Sequence, residues 1–139
     1  DIIGVEVCSA IKNIYAMIIG AGQSLNTSSS LFQKSIIEMK YLTKYFKGKE
    51  ATTLGLAGIG DLYVSAAGGR NSKMGSYLGK GFTFKNAKKK FMPKDTVEGE
   101  QLAREIAPYI LKKINKKKIP LMTTLFKAIL NNKKLNIRL

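Results

Sequence analysis

The sequence contains no histidine and no tryptophan, and it has one cysteine and three prolines among its 139 residues. The lack of histidine excludes a Ser-His-Asp triad and most zinc sites. The single cysteine, Cys8, cannot form a disulfide bond within the chain, which suits a reducing compartment. Because no histidine is present to activate its thiol, we expect Cys8 to be a structural residue rather than a nucleophile.

Acidic residues are also scarce, since nine Asp and Glu stand against 24 Lys and Arg, giving a net charge of +15. The lysines occur singly or in short clusters, such as residues 88–90, 112–113, 116–118 and 133–134. This pattern is more typical of a solvated surface than of a nucleic-acid interface. A basic helical module that binds nucleic acid stays open as the alternative function. A further alternative is that an acidic segment that normally balances these charges is absent.

Hydrophobic residues make up 45% of the chain, and its length is sufficient for one domain with its own core. The apolar residues recur at helical spacings and do not alternate as they do in strands. We therefore predict an all-α fold without internal repeats. The predicted helices cover residues 3–21, a segment capped within 26–30 and ended at Gly48, short pieces of 52–70, 71–78 and 82–91, a helix capped by Asp95 or Thr96 and kinked at Pro108, and a last helix from Ile119 and Pro120.

The first predicted helix, residues 3–21, is apolar on nearly every side, which is typical of a helix buried in a core. Glu6, Lys12 and Asn13 interrupt the apolar run too early for a membrane span. The first residues also lack the basic leader and apolar core of a secretory signal, and the chain starts at the edge of this helix, as at a domain boundary or a truncation. Lys12 is either a lysine whose stem reaches the surface, the commoner case, or a proton donor and acceptor whose charge is disfavoured by burial.

Residues 52–70 are rich in glycine and other small residues, and they lead into the sequence GGRN at 68–71. A glycine-rich loop that opens a helix offers free N–H groups and the helix dipole to a phosphate, and the guanidinium of Arg70 suits the same ligand. The plainer interpretation is a turn followed by a surface arginine. Asp61 is either a helix cap or, if it lies near Lys12, a carboxylate that holds the ammonium in place.

Three segments resemble the C-terminal domain of NAD(P)-dependent glycerol-3-phosphate dehydrogenases: GVEVCSAIKN (4–13), GLAGIGDLYVSAAGGRN (55–71) and TVEGEQLA (96–103). The resemblance extends over residues 1–139 and implies one helical substrate-binding and catalytic domain of the 6-phosphogluconate dehydrogenase C-terminal-like type. It implies that NAD or NADP is bound mainly by an N-terminal Rossmann domain, whose GxGxxG fingerprint this sequence lacks. We therefore expect the 139-residue chain alone to be inactive.

The resemblance further implies a cytoplasmic homodimer that interconverts dihydroxyacetone phosphate and sn-glycerol 3-phosphate for phospholipid synthesis. The resemblance implies no binding to nucleic acid, no insertion into a membrane and no metal ion. Lys12 is implied as the general acid/base, with Asp61 as its catalytic partner. The residues implied to bind substrate are Lys12, Asn13, Asp61, Ser65, Gly69, Arg70 and Asn71, and those implied to contact the cofactor are Arg70, Val97 and Glu98.

One departure from the family concerns the loop between Asp61 and Arg70. It is shorter than in many bacterial members, which have serine directly before the arginine, and it resembles the eukaryotic type. With Gly69 at that position, only a backbone N–H is available there to a phosphate. Ser65 also stands where threonine is common, which is a conservative exchange of hydroxyl groups.

Overall fold

A computed structural model of the chain describes residues 1–138, and this range is helical with no strand, which confirms the all-α prediction. Eight α-helices are joined by short connections that include one π-helix and one 3₁₀-helix. In chain order the elements are α1 (Ile2–Gly20), α2 (Leu25–Tyr45), α3 (Glu50–Thr53), the π-helix (Leu56–Gly60), α4 (Asp61–Gly68), α5 (Arg70–Gly79), α6 (Phe84–Phe91), α7 (Glu98–Lys113), the 3₁₀-helix (Lys116–Lys118) and α8 (Pro120–Leu130).

Helix α1 is the central element, and α2, α4, α5 and α7 pack around it. Its second half is buried on all sides, with every residue from Ile14 to Ile19 in the core. Its first half is not, because Ile3 and Val5 are 47% and 43% exposed. The expectation of a helix buried on nearly every side is therefore right only for the second half. By length and composition α1 is apolar enough to cross a membrane, but half of that apolar window is buried inside the fold.

Both ends of α2 differ from the sequence prediction. The N-cap is Ser24, whose hydroxyl accepts a hydrogen bond from the Thr27 N–H, and not a residue within 26–30. At the other end, Lys47 rather than Gly48 adopts the left-handed conformation, with φ of 73°. Glycine is required at position 48 for a different reason: a Cβ there would lie 2.7 Å from the Cα of Gly4.

Close backbone contacts fix α5 alongside α1. A Cβ at Gly75 would meet the carbonyl oxygen of Met17, and a Cβ at Gly79 would meet that of Ala21. A Cβ at Gly20 would in turn meet the carbonyl oxygen of Ser72, so the last turn of α1 packs tightly against α5. These contacts hold α5, which begins at Arg70, against the helix that carries Lys12.

Helices α7 and α8 complete the core. Helix α7 begins after Val97 with no side-chain cap, so the prediction of a cap by Asp95 or Thr96 is wrong. Pro108 lies inside α7, which nevertheless continues to Lys113. Helix α8 begins with Pro120 in its first turn, as predicted, because a proline there loses no helical hydrogen bond.

The carboxylate of Glu38 joins α2, α1 and α8. It accepts hydrogen bonds from the Tyr15 hydroxyl at 2.8 Å and from the N–H groups of Leu121 and Met122 at 2.8 and 3.1 Å. Burial raises the pKa of Glu38, although these three donors act to lower it. Burial, with the nearby Glu38 charge, also raises the pKa of Tyr15 well above its ordinary value. Glu38 thus supplies acceptors for two N–H groups at the start of α8 that have no partner within the helix.

Candidate functional site

Lys12 and Asp61 form the first part of the site. Lys12 projects from α1 and Asp61 is the first residue of α4, and the distance from Lys12 Nζ to Asp61 Oδ2 is 3.7 Å. Their side chains are 25% and 40% exposed. Lys12 is therefore neither fully buried nor free in solvent. Asp61 does not cap α4, since the N-cap position belongs to Gly60 and has no side-chain hydrogen bond.

The π-helix Leu56–Gly60 sets the position of Asp61, because α4 follows it directly. Within this π-helix, Gly58 lies against the backbone of Thr53, and any Cβ at position 58 would overlap the carbonyl oxygen of Thr53. Single π-turns inside helical segments occur frequently at functional sites. Of the glycines in residues 55–60, Gly58 is thus the one at which the neighbouring backbone leaves no room for a side chain.

The start of α5 is the second part of the site. Gly69 occupies the N-cap position in an extended conformation and cannot provide a side-chain acceptor. Ser65, one turn after Asp61, accepts the Gly69 N–H through its backbone oxygen at 3.3 Å. Because no side chain caps α5, the N–H groups of its first turn and the positive end of its dipole are available to an anion. Arg70 stands at this end, with its side chain 54% exposed.

A hydrogen-bond network joins α5 to the start of α7. The guanidinium of Arg70 is paired with the carboxylate of Glu98. Asn71, which is only 7% exposed, donates from Nδ2 to Glu98 at 3.5 Å and accepts the Gly99 N–H through Oδ1 at 2.7 Å. Sequence reasoning assigned Glu98 to the cofactor and missed its pairing with Arg70, because no motif links positions separated by 28 residues.

Gly99 connects this network to the helix that carries Lys12. A Cβ at position 99 would lie 2.9 Å from the backbone oxygen of Asn13 and 2.9 Å from Oδ1 of Asn71. Only glycine lets the starts of α5 and α7 approach α1 this closely. The Lys12–Asp61 pair and the Arg70–Glu98 pair therefore lie on neighbouring elements around the middle of α1.

The remaining predicted residues lie around these two ion pairs. Asn13 and Ser65 are partly buried, and Gly69 lies directly before the exposed Arg70. Val97 is only 1% exposed, so its side chain belongs to the core. Among residues 1–138, no group of three or more Cys, Asp or Glu side chains is placed to hold a metal ion.

The site is electrically balanced, because each cation has a carboxylate partner. An anionic ligand that binds Arg70 must therefore share or displace Glu98. The ammonium of Lys12 and the guanidinium of Arg70 are both partly exposed, so each can donate hydrogen bonds to a small ligand.

The comparisons with known proteins agree with the sequence resemblance. The family model described as NAD-dependent glycerol-3-phosphate dehydrogenase C-terminus matches residues 1–138. The glycerol-3-phosphate dehydrogenases [NAD(P)+] of Phytoplasma mali and Halothermothrix orenii are each 32% identical to this chain. These alignments cover 99% and 96% of this chain but only 42% and 40% of the two relatives.

The fold matches those of solved structures. Glycerol-3-phosphate dehydrogenase from Coxiella burnetii superposes with a TM-score of 0.84 at 29% identity, over 96% of this chain and 42% of that protein. The enzyme from Saccharomyces cerevisiae has the same fold, with a TM-score of 0.84 at 22% identity over 97% of this chain and 40% of that protein. This chain spans about two fifths of the length of the curated relatives. It belongs to the family of NAD-dependent glycerol-3-phosphate dehydrogenase C-terminal domains.

Proposed function

We propose that this chain is the substrate-binding and catalytic part of a glycerol-3-phosphate dehydrogenase, which interconverts dihydroxyacetone phosphate and sn-glycerol 3-phosphate. The observation that carries the proposal is the placement of two cations on helices that pack together, Lys12 on α1 and Arg70 at the start of α5, each held by a carboxylate. A cytoplasmic homodimer that supplies phospholipid synthesis is part of the same proposal. It follows from family membership rather than from the geometry of the site.

Lys12 is proposed to move the proton. In the direction of reduction, its ammonium donates a proton to the carbonyl oxygen of dihydroxyacetone phosphate and stabilises the negative charge that develops there. In the reverse direction, the neutral amine takes the proton from the hydroxyl group. Asp61, 3.7 Å away, orients the ammonium.

Arg70 and the start of α5 are proposed to bind the substrate phosphate. The N–H groups of the first turn of α5 and the Arg70 guanidinium provide donors at the positive end of the helix, whereas the Gly69 N–H already donates to the Ser65 backbone oxygen. Asn71 is held by Gly99 and Glu98, so it keeps this end of α5 at a fixed distance from α1. Binding of the phosphate directs the carbonyl group toward Lys12.

NAD or NADP supplies the hydride in this proposal. The exposed Arg70 and the partly exposed Glu98 offer a donor and an acceptor to a cofactor at this face. The side chain of Val97 is buried, which limits a cofactor contact there to the backbone. The described residues contain no strand, so the strand–turn–helix unit that binds dinucleotides would have to come from another domain.

The proposal is tested by joining this chain to the preceding part of the Halothermothrix orenii relative. We expect the chimera to oxidise NADH or NADPH when dihydroxyacetone phosphate is added, and the 139-residue chain alone to show no turnover. Arg70→Ala should raise the KM for dihydroxyacetone phosphate. Arg104→Ala is the matched control, since Arg104 is also about half exposed and also paired with a glutamate. A folded but inactive chimera, or equal KM values for both variants, would contradict the proposal.

A further inference from the structure

A basic cleft of about 880 Å³ lies apart from the site described above. Its walls are α2, the 3₁₀-helix before α8, α8 itself and the tail at residues 133–138. None of its lining residues comes from α1, α4, α5 or α7. The glycerol-3-phosphate dehydrogenase proposal therefore makes no use of it.

The positive charges of this basic cleft are found at both ends of α8. Lys117 and Lys118 line it just before the helix, and Lys133, Lys134 and Arg138 line it after the helix. Helix α8 has 11 residues, which corresponds to a length of about 16 Å. The basic cleft thus draws its cations from the segments on both sides of α8.

The sides of the basic cleft carry further positive charge that is not neutralised. Lys34 of α2 and Lys127 of α8 lie between the two ends. The one acidic side chain in the lining is Glu38, and both of its oxygens already accept hydrogen bonds from Tyr15 and from the start of α8. In the described part of the chain, none of the lysines and arginines of the basic cleft forms an ion pair.

The tail that forms one wall is part of the folded structure. The Lys133 N–H donates to the Ala128 oxygen at 3.1 Å, and Asn132 accepts the Lys85 N–H at 3.1 Å. Leu135 and Ile137 pack against the hydrophobic core. The cations after α8 are therefore held in position beside the helix.

We infer that the basic cleft binds a linear polyphosphate, an extended chain whose successive phosphates meet the cations along α8. A chain of phosphates can contact more of these cations at once than a single phosphate can. A single-stranded nucleic acid usually stacks its bases on aromatic side chains, and the lining of the basic cleft has none. Recognition through phosphates alone fits a chain without bases, and association is driven largely by the release of counterions.

The test measures binding of linear polyphosphate to the 139-residue chain by calorimetry at several salt concentrations. Because both ends of α8 take part, we expect polyphosphate to bind far more tightly than orthophosphate, as for any multivalent ligand. The variant Lys117→Gln/Lys133→Gln removes one cation from each end and should weaken binding about tenfold or more. The control Lys112→Gln/Lys113→Gln removes the same charge from exposed positions outside the lining and should change affinity by less than about twofold.

Several results would overturn the inference. One is the absence of measurable binding at moderate salt, and another is equal affinity for orthophosphate and polyphosphate. A third is equal weakening by the two double variants, which would indicate attraction to the overall charge. A fourth is tighter binding of a single-stranded oligonucleotide that depends on Lys117 and Lys133, because the ligand would then be nucleic acid.

Discussion

Replacement of Glu38 by glutamine tests how the core holds α8 in place. In the native chain, the two carboxylate oxygens accept three hydrogen bonds, from the Tyr15 hydroxyl and the N–H groups of Leu121 and Met122. An amide has one oxygen and one NH₂ group, so in Glu38→Gln at least one buried donor faces another donor. An unsatisfied buried group costs about 1–3 kcal/mol. We therefore expect the free energy of unfolding to fall by about 2 kcal/mol.

The assay is urea denaturation followed by far-ultraviolet circular dichroism, with Glu105→Gln as the matched control. Glu105 is exposed on α7, and its replacement should change stability by less than about 0.5 kcal/mol. Tyr15→Phe and the double variant complete a double-mutant cycle, which isolates the coupling between Tyr15 and Glu38. If Glu38→Gln is as stable as the control variant, the reasoning about the start of α8 is refuted.

The pH dependence of stability gives a second readout of Glu38. Because burial raises the pKa of Glu38 above its ordinary value of 4.5, the folded state binds more protons than the unfolded state between the two pKa values. The contribution of this group is therefore fully present below pH 4.5 and is lost as the pH rises through the folded pKa. Glu38→Gln should abolish this fall in stability with rising pH, and an unchanged pH profile would contradict the assignment.

Three other predictions concern the core and the site. Gly75→Ala places a methyl group against the Met17 carbonyl oxygen, so we expect a loss of about 2 kcal/mol or more in urea denaturation; an unchanged midpoint would exclude this contact. Cys8 is fully buried, so its thiol should react with a thiol reagent only as fast as the chain unfolds; rapid reaction in the native state would show that it is accessible. Glu98→Gln removes the charge that pairs with Arg70, so phosphate, titrated by NMR, should bind several-fold more tightly; equal or weaker binding would mean that Glu98 does not compete.

The fold class and most helices could be predicted from the sequence because helical periodicity is a local property. The all-α class, the long α1 and the start of α8 at Pro120 all follow from such patterns. Helix caps were less predictable. The polar run at 24–30 contains several residues able to cap α2, and only the backbone geometry selects Ser24.

Long-range pairing could not be predicted from local patterns. Glu38 contacts the start of α8 across 83 positions, and Arg70 contacts Glu98 across 28. The proximity of Lys12 and Asp61 was expected only as one of two alternatives, and the 3.7 Å separation selects it. The exposed first half of α1 was missed, because an apolar composition does not specify which residues are covered by neighbouring helices.

The most direct test of the proposed mechanism is the kcat of Lys12→Met in the active chimera. If Lys12 moves the proton, kcat should fall about 100-fold or more, while binding of the substrate phosphate changes little because Arg70 and α5 are intact. Lys40→Met, at a partly buried lysine of α2 with no carboxylate partner among residues 1–138, should keep normal kcat. A Lys12→Met chimera with near-normal kcat would show that another group transfers the proton.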